Sequence, residues 1–168
     1  MDLDERQTED REAGDAYRVL VGVDYSPLSE LAVGEALRLA DAHDDGELHF
    51  VTVAEGSGPG LPEELMADEK ESFVREARET LESFLTRRFA ALGAERHRHR
   101  VHAHVRFGDP AEQILGLAGS LDVDLVAVGT RGRHGFDQAI LGSVAERVLR
   151  HASCSVLVVR SKALSQKS

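Results

Sequence analysis

The sequence predicts an α/β fold: a single doubly wound, five-stranded parallel sheet with helices on both faces. Three observations predict it. Five short apolar runs alternate with four stretches of helical spacing between residues 17 and 160, and such alternation builds a parallel sheet joined by right-handed crossovers. The 168 residues fit one domain and hold no internal repeat, so a single copy of the unit is expected. Glycines gather just after the fourth apolar run, at the carboxyl end of a strand, where open α/β sheets place their ligands.

The elements follow in order. Tyr17–Asp24 is a short apolar run that reads as a buried strand. Ser26 and Pro27 then supply a cap and a first-turn proline, and Leu28, Leu31, Ala32, Ala36, Leu39 and Ala40 recur at helical spacing until Asp44-Asp45-Gly46 ends the element. Glu47–Ala54 is the second strand, and residues 55–62 are a breaker-rich loop. A long helix is expected from about Glu63 to Leu92, with Phe73, Ala77, Leu81, Phe84 and Leu85 on its apolar face and Gly93 as its stop. The third strand, about Arg98–Phe107, alternates Val101, Ala103 and Val105 with Arg100, His102, His104 and Arg106. A half-polar strand suits a sheet edge. Asp109-Pro110-Ala111-Glu112 opens a third helix, to about Ser120. Asp124–Gly129 is a fully apolar fourth strand after its first residue, residues 129–142 form a Gly-rich loop, Ser143 opens a fourth helix, and Ser155–Val159 is the last strand.

Charge and composition narrow the function classes. Twenty basic residues against 30 acidic ones leave a net charge of −10, which disfavours nucleic acid and anionic membrane as general partners. No apolar run is long enough to span a bilayer, so membrane insertion is not expected. Residues 1–16 hold seven acids and two arginines and read as a disordered tail rather than a signal peptide; residues 161–168 form a second polar tail. The single cysteine, Cys154, excludes an intramolecular disulfide and any multi-cysteine zinc site; it reads as a small buried residue beside the last strand. A cytoplasmic protein is the expectation.

The loop after the fourth strand carries the chemistry. Gly129, Gly132 and Gly142-Ser143 are spaced G-x2-G-x9-G-S. Glycines let backbone N–H groups approach an anion, and a helix starting at Ser143 offers unpaired N–H groups and a positive dipole end to a polyphosphate. Arg131 and Arg133 add local positive charge. Asp24, at the end of the first strand, can face a ribose hydroxyl or a magnesium ion; it can also cap the first helix from outside. Ser143 with Glu146 makes a capping box, compatible with phosphate contact. There is no Walker lysine and no GxGxxG. His97, His99, His102 and His104 invite a metal reading, with His102 and His104 on one strand face; a solvated edge face is the competing reading.

These residues resemble the universal stress protein family, in its ATP-binding subgroup. The resemblance rests on VLVGVDYS around Asp24, GDPAEQIL before the third helix, the glycine spacing, and GSVAERVLRHASCSVLVV at the end, and it covers about residues 17–160. It implies an adenine-nucleotide alpha-hydrolase-like sheet of order 3-2-1-4-5 and homodimers through Val156–Val159. It implies ATP, or ADP or AMP, with Mg2+: adenine near Gly22, Val23 and Val53; Asp24 toward ribose, phosphates and magnesium; Val128 and Gly129 beside the ribose; Arg131, Gly132, Gly142, Ser143 and Val144 around the phosphates. Arg133 lies deeper in the same loop as a further contact. Ser155 stands where the family often has proline, and Arg131 where histidine is common. Three functions compete: a nucleotide-responsive signalling dimer of the stress response, acting on an unidentified protein partner; a slow ATPase or autophosphorylating enzyme using His134 or Asp137; and a dimeric scaffold without nucleotide.

Overall fold

In the computed structural model, the described residues are 16–43, 45–54, 67–94, 100–130 and 141–161, with side chains in the second helix described from residue 71. Strand β1 (Arg18–Gly22) lies between β2 (Glu47–Ala54) and β4 (Leu125–Gly129); β3 (Val101–Phe107) and β5 (Ser155–Val159) form the two edges, so the order is β3-β2-β1-β4-β5. All four pairings are parallel. Strands β1 and β4 are apolar on both faces because helices cover both. The expected edge position of β3 holds, and so does its alternation.

Helices α1 (Pro27–Asp41) and α2 (Ala67–Leu92) cover one face; α3 (Pro110–Leu121) and α4 (Ser143–His151) cover the other. Two cores result. Val19, Val21, Leu48, Phe50, Leu125 and Ala127 point toward α1 and α2. Leu20, Val51, Val126 and Val128 point toward α3 and α4. This is the period-two alternation of a strand, expressed on both sides of one sheet.

Local chemistry sets the helix ends. Ser26 Oγ accepts from the Ser29 N–H at 3.2 Å, with Pro27 as the first helical residue. Asp109 Oδ1 accepts from the Glu112 N–H at 2.9 Å and caps α3. Gly93, at φ 63°, ends α2 as anticipated, and the Ala94 N–H reaches back to the Phe89 carbonyl at 2.9 Å.

Several boundaries and faces differ from the sequence reading. The inward face of α1 is Ser29, Ala32, Val33, Ala36, Leu37 and Ala40, whereas Leu31 is exposed. Helical periodicity defines an apolar stripe, but tertiary contact decides which edge of it meets the sheet. Among the described side chains of α2 the buried residues are Leu81, Phe84, Leu85 and Phe89, while Phe73 is exposed and its ring centroid lies 5.6 Å from that of Phe107. The expected starts of α2 at residue 63 and of β3 at residue 98 lie outside the described residues, as do residues 1–15 and 162–168 of the two tails. Cys154 is half-buried rather than buried; desolvation raises its thiol pKa.

Candidate functional site

Strand order makes the site. From β1 the chain moves outward to β2 and β3, then returns to place β4 on the other side of β1. The crossovers from β1 and β4 therefore leave on opposite faces, and a crevice opens between their carboxyl ends. Val19, Leu20 and Val21 pair with Leu125, Val126 and Ala127, so Gly22–Asp24 and Val128–Thr130 emerge side by side.

The β1 end turns sharply. The Val23 N–H donates to the Val51 carbonyl at 2.8 Å, Asp24 Oδ1 accepts from the Ser26 N–H at 3.0 Å, and Tyr25 adopts a left-handed φ of 64°. Asp24 thus closes an Asx-type turn ahead of α1, whose helix cap is Ser26. Tyr25 is anchored edge-on against Phe84, with ring centroids 5.3 Å apart. Gly22 is tightly enclosed: a Cβ there would lie 3.2 Å from Ile114 Cδ1 and 3.2 Å from Val128 Cγ1, so both side chains would have to yield. The side chains of Val23 and Val128 are buried in opposite cores, so at these positions the backbone is what faces the crevice. Val53 is half-buried near the end of β2.

At the β4 end two hydrogen bonds hold the boundaries of the Gly-rich loop. The Thr130 N–H donates to the Val159 carbonyl at 2.9 Å, and the Gly142 N–H donates to the Thr130 carbonyl at 2.8 Å. The second bond brings the amino end of α4 to the carboxyl end of β4. Gly142 is the N-cap residue, with no side-chain cap hydrogen bond, and Ser143 is an exposed first helical residue. The capping box expected from Ser143 and Glu146 does not form. The Glu146 N–H bonds to the Gly142 carbonyl, and its carboxylate pairs with Arg150 at 2.8 Å instead. The Gly142–Thr130 bond sets the helix start one residue earlier than the box requires. The amino end of α4 is left with a glycine cap, its dipole and its leading N–H groups. Arg147, one turn on, reaches Asp109 Oδ2 at 2.7 Å and Glu112 Oε1 at 3.3 Å, tying α4 to the start of α3. The Glu112 N–H, then Arg147, hold the Asp109 carboxyl below its usual pKa.

Thus the structure brings together Gly22, Val23, Asp24, Val128, Gly129, Gly142, Ser143 and Val144. Arg131, Gly132, Arg133, His134 and Asp137 lie outside the described residues.

A second polar cluster lies on β2 and β3, on the α3 side of the sheet. His49 pairs in register with His102, and Glu47 lies two residues earlier on β2. His49 is buried; its Nδ1 is 3.1 Å from His104 Nε2, and its Nε2 is 3.6 Å from Glu47 Oε2. Burial is the leading cause that lowers the His49 pKa, and burial followed by His49 pushes that of His104 down to about 4. The metal reading of the sequence considered His97, His99, His102 and His104, of which His97 and His99 lie outside the described residues, but missed Glu47 and His49. The signal was present in Glu47-Leu48-His49: polar residues two apart in an otherwise apolar strand, on one face. Pairing them with β3 required the strand order.

The fold defines the class first: a doubly wound sheet with the switch-point crevice of the adenine-nucleotide alpha-hydrolase-like proteins. The sequence profile of the universal stress protein family matches residues 17–160, and the chain belongs to that family. It is 32% identical over 152 residues to a universal stress protein of Methanocaldococcus jannaschii, covering 85% of this chain and 81% of that protein. It is 35% identical over 136 residues to universal stress protein G of Escherichia coli O157:H7, covering 79% and 89%. Among solved structures, it superposes on universal stress protein UspA from Lactobacillus plantarum with TM-score 0.67 and 26% identity, covering 86% and 97%. It also superposes on a universal stress protein in complex with cAMP, with TM-score 0.56 and 26% identity, covering 86% and 96%.

Proposed function

We propose that this chain binds an adenine nucleotide, ATP with Mg2+, in the crevice between the carboxyl ends of β1 and β4, and acts as a nucleotide-responsive regulatory dimer. One observation carries the reading: the 2.8 Å bond from Gly142 to the Thr130 carbonyl, which sets a helix start without a side-chain cap at the mouth of the switch point. Aligned N–H groups and the positive dipole end favour a phosphate there. The cAMP complex of a relative at 26% identity supports an adenine ligand in this fold.

In this reading the adenine lies near Gly22, Val23 and Val53, and the ribose near Asp24, Val128 and Gly129. Arg131, Gly132, Arg133, Gly142, Ser143 and Val144 surround the phosphates. A carboxylate accepts several bonds at once, so the Asp24–Ser26 bond is compatible with ribose or magnesium at the same group. Magnesium would neutralise phosphate charge there. Occupancy would regulate only if ATP binds two states of the protein with different affinity. The dimer reading rests on β5: an edge strand, Ser155–Val159, without a charge or proline to guard it.

Ser143→Asp tests the site. An acidic residue in the first turn favours the helix but repels phosphate, so thermal stability should hold while ATP affinity falls at least tenfold, about 1.4 kcal/mol. Calorimetry showing undiminished ATP binding would remove Ser143 and its neighbours from the site. Gly132→Val should weaken binding likewise. Sedimentation that finds only monomer would refute the dimer.

A further inference from the structure

We propose that Glu47, His49 and His102 form a zinc-binding site across β2 and β3, separate from the nucleotide crevice. One ligand atom from each residue can be chosen so that all lie within 4.8 Å of one another. The decisive observation is His49 Nε2: its residue is only 5% exposed, and this nitrogen has no hydrogen-bond partner among the described residues. A buried ring nitrogen without a partner loses its water bond with nothing in return. It faces Glu47 Oε2 at 3.6 Å, beyond hydrogen-bond distance.

His104 supplies what a metal-bound histidine needs. Its Nε2 lies 3.1 Å from His49 Nδ1. With His49 Nδ1–H donating to His104, the Nε2 lone pair of His49 is directed at Glu47. Two electron-rich atoms then face each other, and a cation between them turns repulsion into two bonds. This is the arrangement in which a second hydrogen-bonding group fixes tautomer and ring orientation.

The donor set of two imidazoles and a carboxylate suits zinc. Tetrahedral bonds of about 2.0–2.2 Å would bring the ligand atoms to roughly 3.3 Å apart, so the cluster must close by up to about 1.5 Å. The partner with room to shift is His102, which is exposed and stacked on His49 with ring centroids 4.6 Å apart. Arg18 Nε sits 3.3 Å from Glu47 Oε2, and Arg106 follows His104 on the same face of β3. Both charges oppose a cation, and the Glu47 carboxylate, with two oxygens to share, offsets them in part. The site lies toward the amino end of β2, four residues and about 13 Å from Val53, so it does not depend on the nucleotide reading. Zinc here would clasp the edge strand β3 to β2.

The test is calorimetric titration of the chelator-treated full chain with Zn2+, without nucleotide. One ion per chain is expected to bind and to raise the melting temperature. His102→Ala, at an exposed position, and Glu47→Gln should each fold and weaken binding at least tenfold, while the His49 Nε2 resonance in 15N NMR moves on zinc addition only where the ligands are intact. The proposal is overturned by no stoichiometric binding, by full affinity in His102→Ala, by an unmoved Nε2 resonance, or by binding that is lost instead when His97 and His99 are replaced.

Discussion

Gly22 should resist even one added methyl group, and the two neighbours responsible can be named. In Gly22→Ala the new Cβ would lie 3.2 Å from both Ile114 Cδ1 and Val128 Cγ1, where carbon atoms prefer about 3.5–4.0 Å. Val128 is stiff about χ1, so most of the displacement falls on the end of Ile114. Overpacking costs about 1–3 kcal/mol. Restricting the unfolded chain returns about 0.4–1 kcal/mol, which leaves a net loss of about 1 kcal/mol. Ile114→Val deletes the clashing Cδ1 and alone should cost about 1 kcal/mol. Combined, the two changes should cost less than the additive value of about 2 kcal/mol, because the shortened side chain relieves one of the two close contacts while that to Val128 remains. Urea unfolding of all four proteins measures this, and at a slope of about 2 kcal/mol/M each step is a midpoint shift of about 0.5 M. Strict additivity, or an alanine variant more stable than the parent, would refute the packing argument at the floor of the crevice.

Asp109→Ala removes the side-chain cap of α3 and should cost about 1 kcal/mol, read by thermal or urea unfolding. The Asp109 pKa is lowered in the fold, so its contribution should be complete above about pH 4 and fade as the pH falls further. His49 and His104 are both held below the ordinary histidine pKa, the latter at about 4. The unfolded chain therefore takes up protons first on acidification. Stability in chelator should fall between about pH 6.5 and 4 and be flat above, and His104→Asn should reduce that slope in a pH series of melts. Val148, fully buried on α4, anchors the helix whose start forms the crevice. Val148→Ala should cost about 2 kcal/mol and weaken ATP binding together with stability, whereas Ser143→Asp should weaken binding alone.

Apolar runs such as Val19–Val21 and Leu125–Val128, with caps at Ser26 and Asp109, determined the elements locally: strand burial, helix starts and breakers are short-range properties. The glycine spacing from Gly129 to Ser143 likewise marked one wall of the candidate crevice and carried the family resemblance. Other features depended on contacts between segments distant in sequence. Leu31 and Phe73 belong to the right helices but turn outward, because which edge of an apolar stripe is buried depends on the neighbour it meets. Ser143 lost its capping box to a bond between Gly142 and Thr130 across the Gly-rich loop. His49 and Glu47 became interesting only beside His102, 53 residues from His49 in sequence. A sequence carries local preferences; the sheet order, which decides which distant residues share a face, emerges only when the whole chain buries its apolar surface at once.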